Sequence, residues 1–259
     1  MNLNKLIDGW PLRCGLLFLV GAALLGGGGC RSATAPGRWT QKASATQMTA
    51  TASGVLAPVY APLAEQIVRD YQLADREGLG LDIGGGPGSL VVELAQRTKL
   101  YWVDVDLNRS YLVPLVQRAE AAGVADRVAF LGADVQALPF RDGVADVIVS
   151  RGSYHFWPDI SKGFGEIWRV LKPGGVAYVG RGFSRDLPVE VARAIRAQQG
   201  DRMKYDRQEQ AALLRRTMSE LNIRDYRLDL PSAPGGADIN YGIWLEFHKP
   251  QEQRTPAKP

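Results

Sequence analysis

The chain has 259 residues, a net charge of +4 and a pI near 9.1, and this length suits one α/β domain with additional segments. The excess positive charge lies in residues 1–50, which contain five basic residues and one acidic residue, whereas the rest of the chain contains 26 of each. A nucleic-acid-binding domain concentrates positive charge on its folded part, so this distribution argues against a nucleic-acid partner. Because Cys14 and Cys30 are the only cysteines, the chain beyond them can form no disulfide, thiolate metal site or cysteine nucleophile, and we expect no metal.

Residues 1–30 have the pattern of a signal peptide or a membrane anchor. Two basic residues precede an apolar run from Cys14 to Leu25, which has the length of a signal-peptide core and is short for a membrane span. Cys30 stands where a bacterial lipoprotein signal has its lipidated residue. Three interpretations remain open: a lipoprotein signal, an uncleaved signal anchor, and an incidental apolar segment or misassigned start. The first two predict membrane association through the N-terminus, and basic residues on both flanks leave the side of the membrane undecided.

The segments on either side of the predicted domain are rich in small or polar residues. Residues 31–54 are predicted to be a flexible linker, because Gly, Ala, Ser and Thr dominate without apolar periodicity. Residues 250–259 form a polar, proline-containing tail that is predicted to be disordered. The folded domain is therefore expected at residues 55–249.

Within the domain, short apolar segments alternate with helical patterns. Strands are predicted at Gly80–Ile83, Leu100–Val105, Val128–Leu131, Ala145–Ser150, Val176–Gly180, Tyr226–Leu230 and Ile243–His248, with amphipathic helices at Pro188–Gln199 and Arg207–Leu221 late in the chain. The alternation predicts an α/β fold with a doubly wound, mostly parallel sheet. In such a sheet, ligands bind along the edge formed by the carboxyl ends of the strands.

The segment LDIGGGPGSL, residues 81–90, joins the first predicted strand to a helix. Glycines at Gly84, Gly86 and Gly88 allow a tight turn and close approach of a ligand to the backbone, and the following helix N-terminus offers free N–H groups. The spacing is G-x-G-x-G. An NAD-binding fingerprint requires G-x-G-x-x-G, so the spacing argues against a nicotinamide-dependent oxidoreductase.

An acidic residue follows the second predicted strand. Asp106 comes directly after Val105 and eighteen residues after Gly88, where a carboxylate accepts hydrogen bonds from both hydroxyls of a ribose. Asp104 lies two residues earlier on the same face of the strand and is the less well-placed candidate. The pattern therefore predicts a ribose-containing ligand beside the glycine-rich loop.

Five ordered segments resemble the motif series of class I S-adenosylmethionine-dependent methyltransferases: LDIGGGPGSL, VDVDLN, GADVQALPF, ADVIVSRGSYHFW and LKPGG. The resemblance is closest to the branch that contains the ubiquinone and menaquinone biosynthesis methyltransferases, and it spans about Val55 to Lys249. It implies a Rossmann-like, seven-stranded sheet with an antiparallel last strand and S-adenosyl-L-methionine as the cofactor.

The resemblance also implies the contacts of that cofactor. They are Asp82, Gly84, Gly86 and Gly88 at the methionine part, Asp106 at the ribose hydroxyls, Leu107, Asp134 and Val135 at the adenine, Ser150 and Arg151 near the amino acid moiety, and Tyr60 in the covering helical region.

Methyl transfer requires few catalytic groups from the protein, because the sulfonium already activates the methyl group. The protein contributes mainly proximity and alignment. A general base is needed only where the acceptor loses a proton, and His155 is the weak candidate. No Asn/Asp-Pro-Pro-Tyr segment typical of base or glutamine N-methylation is present, which leaves a small-molecule or lipid-like acceptor. The alternative function is an exported lipoprotein that uses the same fold as a non-catalytic ligand-binding module.

Overall fold

The computed structural model describes residues 44–200 and 205–251. The predicted leader, linker residues 31–43 and the last eight residues of the predicted tail lie outside this range. The helices are α1 Ala45–Ser53, α2 Ala57–Asp70, α3 Ser89–Arg97, α4 Leu112–Ala121, α5 Ile160–Val170, α6 Val189–Gln199 and α7 Arg207–Glu220. The strands are β1 Leu79–Ile83, β2 Tyr101–Asp106, β3 Val128–Gly132, β4 Ala145–Arg151, β5 Leu171–Gly182, β6 Tyr226–Asp229 and β7 Gly242–His248.

The seven strands form one sheet in the order β3-β2-β1-β4-β5-β7-β6. All pairs from β3 to β5 are parallel, and β7 is antiparallel to both β5 and β6. The carboxyl ends of the first five strands therefore meet at one edge of the sheet. The predicted mostly parallel, doubly wound fold is confirmed, with β7 as the antiparallel insertion.

β1 lies inside the sheet between β2 and β4, and all five of its residues are buried. A strand covered by helices on both faces loses the apolar–polar alternation of a half-exposed strand. Gly80 has a packing role in it, because a Cβ there would lie 2.6 Å from the Trp102 indole of β2. β1 thus packs closely against the Trp102 ring, and this contact fixes the position of the loop that follows the strand.

α1 corrects part of the linker prediction. Residues 31–54 were expected to be flexible, yet Ala45–Ser53 is helical. Ser44 and Gln47 form a capping box, which satisfies free N–H groups of the first turn. Ala52 is buried, and the Arg118 guanidinium donates to the Ser53 hydroxyl at 2.9 Å. One buried residue is a weak apolar pattern, which explains why periodicity did not reveal this helix.

α2 is fixed to the sheet through a buried amide. The Gln66 side chain donates to the Tyr178 hydroxyl at 3.0 Å and accepts from the Ser184 hydroxyl and the Arg185 N–H, both at 2.9 Å. Ion pairs Arg185–Asp70 and Arg69–Asp186 lie at the surface of the same contact. Among the described helices, none combines the length and apolar character needed to cross a membrane.

Candidate cofactor site and active site

The loop after β1 uses three glycines in the left-handed region, and each meets different surroundings. Their φ angles are +67° at Gly84, +63° at Gly86 and +79° at Gly88, values that other residues rarely adopt. A Cβ at Gly84 would lie 2.1 Å from the Ser153 hydroxyl, and one at Gly88 would lie 2.6 Å from Leu115 of α4. At Gly86, no atom of the described chain lies within 4 Å of that position. Gly86 is therefore the point where the backbone is open to a ligand, whereas Gly88 serves the packing of α3.

Two aspartates lie buried beneath this loop. Asp82 of β1 and Asp104 of β2 are register partners on adjacent parallel strands, and they are 1% and 0% exposed. Neither carboxylate has a hydrogen-bond partner of normal geometry within the described chain. A Cβ at Gly85 would lie 2.4 Å from an Asp104 carboxylate oxygen, so the absence of a side chain there makes room for Asp104.

Burial dominates the acid–base behaviour of this pair. It raises the pKa of Asp82 to about 7, with a further contribution from the charge of Asp106 and an opposing one from Arg151. Burial, followed by the charge of Asp82, raises the pKa of Asp104 well above its ordinary value. A carboxylate in an apolar interior stays protonated or acquires a cationic partner. The pair therefore favours a positively charged group above the loop.

Asp106 ends β2 in a half-buried position beside the open glycine. Its carboxylate accepts the Gly86 N–H at 3.1 Å and the Asn108 N–H at 2.8 Å. Burial raises its pKa, and these two hydrogen bonds oppose that change. Because a carboxylate has about four acceptor sites, two remain for the hydroxyls of a ribose. This geometry suits the role proposed for Asp106 from the sequence.

The residues proposed for the adenine lie around the next two strand ends. Leu107 is 43% exposed, which is high for an apolar residue, and Val135 is buried. Asp134 caps the 3₁₀ turn Val135–Ala137 and accepts from the Gln136 N–H at 2.9 Å. The Gln136 amide also donates to both Asp134 oxygens. An incoming amino group would therefore share the Asp134 carboxylate with Gln136.

The residues proposed for the amino acid moiety differ in accessibility. Ser150 is fully buried and donates to the Ile83 carbonyl at 2.7 Å, so its hydroxyl ties β4 to β1. Arg151 donates to the Gly182 carbonyl at 3.1 Å, and its guanidinium lies 5.2 Å from the Tyr60 ring centroid. The charge of Arg151 acts on Asp82. Arg151 is thus the cation placed to meet a carboxylate near the loop, with Tyr60 of α2 stacked over it.

His155 lies in the 3₁₀ turn Tyr154–Phe156 after β4. Its Nδ1 is buried and has no hydrogen-bond partner within the described chain. Burial, and then the charge of Arg181, lowers the pKa of His155 to about 4. Taking a proton from a phenol of ordinary pKa would then cost about 8 kcal/mol. The neutral imidazole is therefore better suited to accept a hydrogen bond than to act as a general base.

The sequence analysis did not identify a group of residues beside His155. Arg181 of β5 stacks on the Tyr205 ring at 3.9 Å, and the Tyr205 hydroxyl donates to the Arg181 carbonyl at 3.3 Å. Arg196 of α6 lies 4.2 Å from the Phe183 ring centroid. These residues are far apart in sequence, and no spacing rule brings them together; only the strand order does so.

Comparison with known proteins agrees with this architecture. Residues 81–179 match the family model described as a methyltransferase domain. The demethylmenaquinone methyltransferase of Thermus thermophilus is 38% identical over 96 residues, which are 37% of this chain and 43% of that protein. The chain thus spans about two fifths of the length of the curated relatives it matches.

Solved structures extend the comparison over more of the chain. A Methanococcus maripaludis protein assigned as an S-adenosyl-L-methionine-dependent methyltransferase has a TM-score of 0.71 and 27% identity, covering 86% of this chain and all of that one. Geranyl diphosphate C-methyltransferase from Streptomyces coelicolor, solved with S-adenosyl-L-homocysteine, has a TM-score of 0.52 and 16% identity, covering 72% and 78% of the two chains. The second likeness is one of fold.

The chain has the Rossmann-like fold of the S-adenosylmethionine-dependent methyltransferases, and residues 81–179 match a methyltransferase domain. Several of the relatives by sequence are named as quinone-biosynthesis methyltransferases. S-adenosylmethionine is the cofactor of this class, and the described residues fit it: open backbone at Gly86, free acceptor sites at Asp106, and two buried carboxylates facing the loop.

Proposed function

We propose that this chain transfers a methyl group from S-adenosylmethionine to a small-molecule or lipid-like acceptor at the carboxyl edge of the sheet. The observation that carries the proposal is the hydrogen bond from the Gly86 N–H to Asp106, since a carboxylate with free acceptor sites then lies beside the loop glycine that is open to a ligand. When bound, the cofactor supplies an electrophilic methyl group.

The chain's own residues then bind and orient the cofactor. Asp106 accepts hydrogen bonds from hydroxyls, Asp82 and Asp104 favour a cationic group, and Arg151 faces a carboxylate. Together they would hold a zwitterionic ligand in one direction, which is the main requirement of a transfer driven by alignment. Quinone-biosynthesis relatives support a lipid-like acceptor.

The first test is the binding of S-adenosylhomocysteine to the full chain by calorimetry. Asp106→Ala should weaken binding about 10- to 100-fold, because hydrogen bonds to a charged group contribute about 1.5–3 kcal/mol. Asp126→Ala, an exposed acid after α4, is the control and should bind like the original chain. Equal affinities for the two variants would mean that Asp106 does not hold the ligand, and Asp104 would be tested next.

The second test is catalytic. Formation of S-adenosylhomocysteine is measured with quinone-like and lipid-like acceptors. Binding of the cofactor without turnover on any acceptor class would favour the ligand-binding alternative over the enzyme.

We also propose that residues 1–30 attach the chain to a membrane, either as a signal anchor or through lipidation of Cys30. A tether of this kind would raise the local concentration of a membrane-soluble acceptor. Protease treatment of intact spheroplasts, with lysed cells as the control, tests the orientation. Protection would place the domain with the intracellular cofactor, and digestion would favour the exported binding module. Labelled fatty acid incorporated by the original chain and lost in Cys30→Ala would identify the lipidated form.

A further inference from the structure

Four arginines converge where the carboxyl ends of β4 and β5 meet α6 and α7. Burial is the largest cause that lowers the pKa of Arg196 to about 10; Tyr205 opposes it, and the charges of Arg151, Arg181 and Arg207 make smaller contributions that lower the pKa further. Like charges in a partly buried site repel strongly, because solvent screens them poorly. An arrangement that holds several guanidinium groups together is therefore costly unless an anion joins it.

Within the described residues, the hydrogen bonds of three of these side chains go to neutral groups. Arg196 donates to the Asn240 carbonyl at 3.0 and 2.6 Å and to the Gln199 amide oxygen at 2.9 Å. Arg207 donates to the Pro231 carbonyl at 3.2 Å, and Arg151 donates to the Gly182 carbonyl. In residues 44–200 and 205–251, no carboxylate lies within ion-pair distance of these three. Elsewhere on the same molecule, Arg69, Arg97, Arg169, Arg185 and Arg227 all pair with acids.

Aromatic rings hold the guanidinium groups in place. Arg196 lies over Phe183 at 4.2 Å and Arg151 over Tyr60 at 5.2 Å. A planar guanidinium stacked on a ring keeps its remaining N–H groups directed along one edge, which suits recognition of an oxyanion by two parallel hydrogen bonds. The cations are thus already oriented before a ligand arrives.

A cavity of about 800 Å³ opens next to Arg196 and also includes the exposed Arg193 and Tyr205, a volume that suits a small organic molecule. Two acids also line it, Asp206 and Asp238. Asp206 is used in capping α7, where it accepts the N–H groups of the second and third following residues. Asp238 is exposed.

We infer that Arg196, which lines this cavity, and Arg207, which directly follows the lining residue Asp206, form a binding site for an oxyanion, a carboxylate or a phosphate, on the methyl acceptor. The inference rests on the proposed function, since it assigns this cavity to the acceptor. Arg151, which lies near Asp82, is assigned to the cofactor and not to this anion site. The acceptor is then an anionic molecule, whose charged end lies by α6 and α7 and whose reactive end lies towards His155.

The test measures binding of small probes by calorimetry to the full chain saturated with S-adenosylhomocysteine. The probes are phenyl phosphate, benzoate and the neutral benzamide, which matches benzoate in shape. We expect one of the two anions to bind at least tenfold more tightly than benzamide, with an affinity that falls as salt is added. The preferred anion distinguishes a phosphate from a carboxylate.

Variants locate the site. Arg196→Gln should weaken binding of that anion tenfold or more, and Arg196→Lys should restore part of it. Arg216→Gln, the same change on the exposed face of α7, should leave it unchanged. Because Arg196 also packs on Phe183, Arg207→Gln provides a second variant in case the first fails to fold, and it should show the same loss.

The outcomes separate this inference from the proposed function. Binding of both anions no tighter than that of benzamide, or equal affinities in Arg207→Gln and Arg216→Gln, would overturn the oxyanion site while leaving the methyltransferase proposal intact. Anion binding that disappears when S-adenosylhomocysteine is present would also overturn it, because the anion would then occupy the cofactor's site. Failure of S-adenosylhomocysteine to bind the original chain would instead count against the proposed function.

Discussion

The buried carboxylate of Asp82 should make the protein less stable as the pH rises from about 4 to about 7, and Asp82→Asn should remove this effect. The ordinary pKa of the group is 3.8, and burial raises it to about 7 in the folded chain. Below pH 3.8, both folded and unfolded chains hold the proton and the group has no effect on stability. Between pH 3.8 and about 7 the unfolded chain releases a proton that the folded chain keeps, so unfolding becomes easier. Above pH 7 the cost is constant.

The size of the effect follows from these two values. Proton linkage gives a cost of about 2 kcal/mol at pH 5 and about 4 kcal/mol at pH 8. The asparagine amide has its own cost of about 1–3 kcal/mol, because its polar atoms also lack partners, and this cost is the same at both pH values. The variant should therefore match the original chain at pH 5 and exceed its free energy of unfolding by about 2 kcal/mol at pH 8.

The assay is urea unfolding of the cofactor-free full chain at the two pH values, followed by the fluorescence of the buried Trp102 and Trp244. Asp126→Asn is the control, since an exposed acid should change stability by less than about 0.5 kcal/mol. Burial, followed by the charge of Asp82, also raises the pKa of Asp104. If the difference between Asp82→Asn and the original chain were the same at pH 5 and pH 8, the reasoning from a buried, unpaired carboxylate would be refuted.

Three further substitutions test the packing described above by urea unfolding. Gly88→Ala should cost about 2–4 kcal/mol, because it combines a φ of +79° with a contact of 2.6 Å to Leu115. Gly86→Ala should lower the free energy of unfolding by about 1–2 kcal/mol from backbone strain alone, and its main effect should be weaker S-adenosylhomocysteine binding. Equal losses of stability in the two variants would contradict the assignment of Gly88 to packing and Gly86 to the ligand. Gln66→Leu should lower the free energy of unfolding by about 2–4 kcal/mol, because the Tyr178 hydroxyl, the Ser184 hydroxyl and the Arg185 N–H lose their partner. An unchanged unfolding midpoint would show that water replaces the amide.

The sheet could be predicted from the sequence because its central strands are short, apolar and separated by helices. Six of the seven predicted strands match the structure to within one residue at each end. β5 begins five residues earlier than predicted, at Leu171, because the first residue of the LKPGG segment pairs with Ala145 at the start of β4, ahead of a register shift. The glycines and the proline of that segment predict a turn by any local rule, but pairing with a neighbouring strand overrides this preference.

The sequence predicted only those parts of the candidate site that lie at or directly after the end of a strand. Asp106 and the glycine-rich loop belong to consecutive elements, so their meeting follows from the topology. The burial of Asp104 under Gly85 depends on register between two strands, and the arginine group depends on four elements separated by up to 56 residues. Sequence alone offers no signal for either. The cofactor contacts proposed from the resemblance remain predictions at the level of single residues.

The unequal attachment of the first two helices bears on how a ligand would leave. α2 is held by three buried hydrogen bonds through Gln66 and by two ion pairs, so detaching it would cost several kcal/mol. α1 buries only Ala52, and it packs against the 3₁₀ turn Arg109–Tyr111, just beyond Asp106. Local opening follows the weakest attachment. Exchange of a nucleoside held at Asp106 is therefore expected to follow the detachment of α1 while α2 stays in place, which makes the short N-terminal helix the element that sets the residence time.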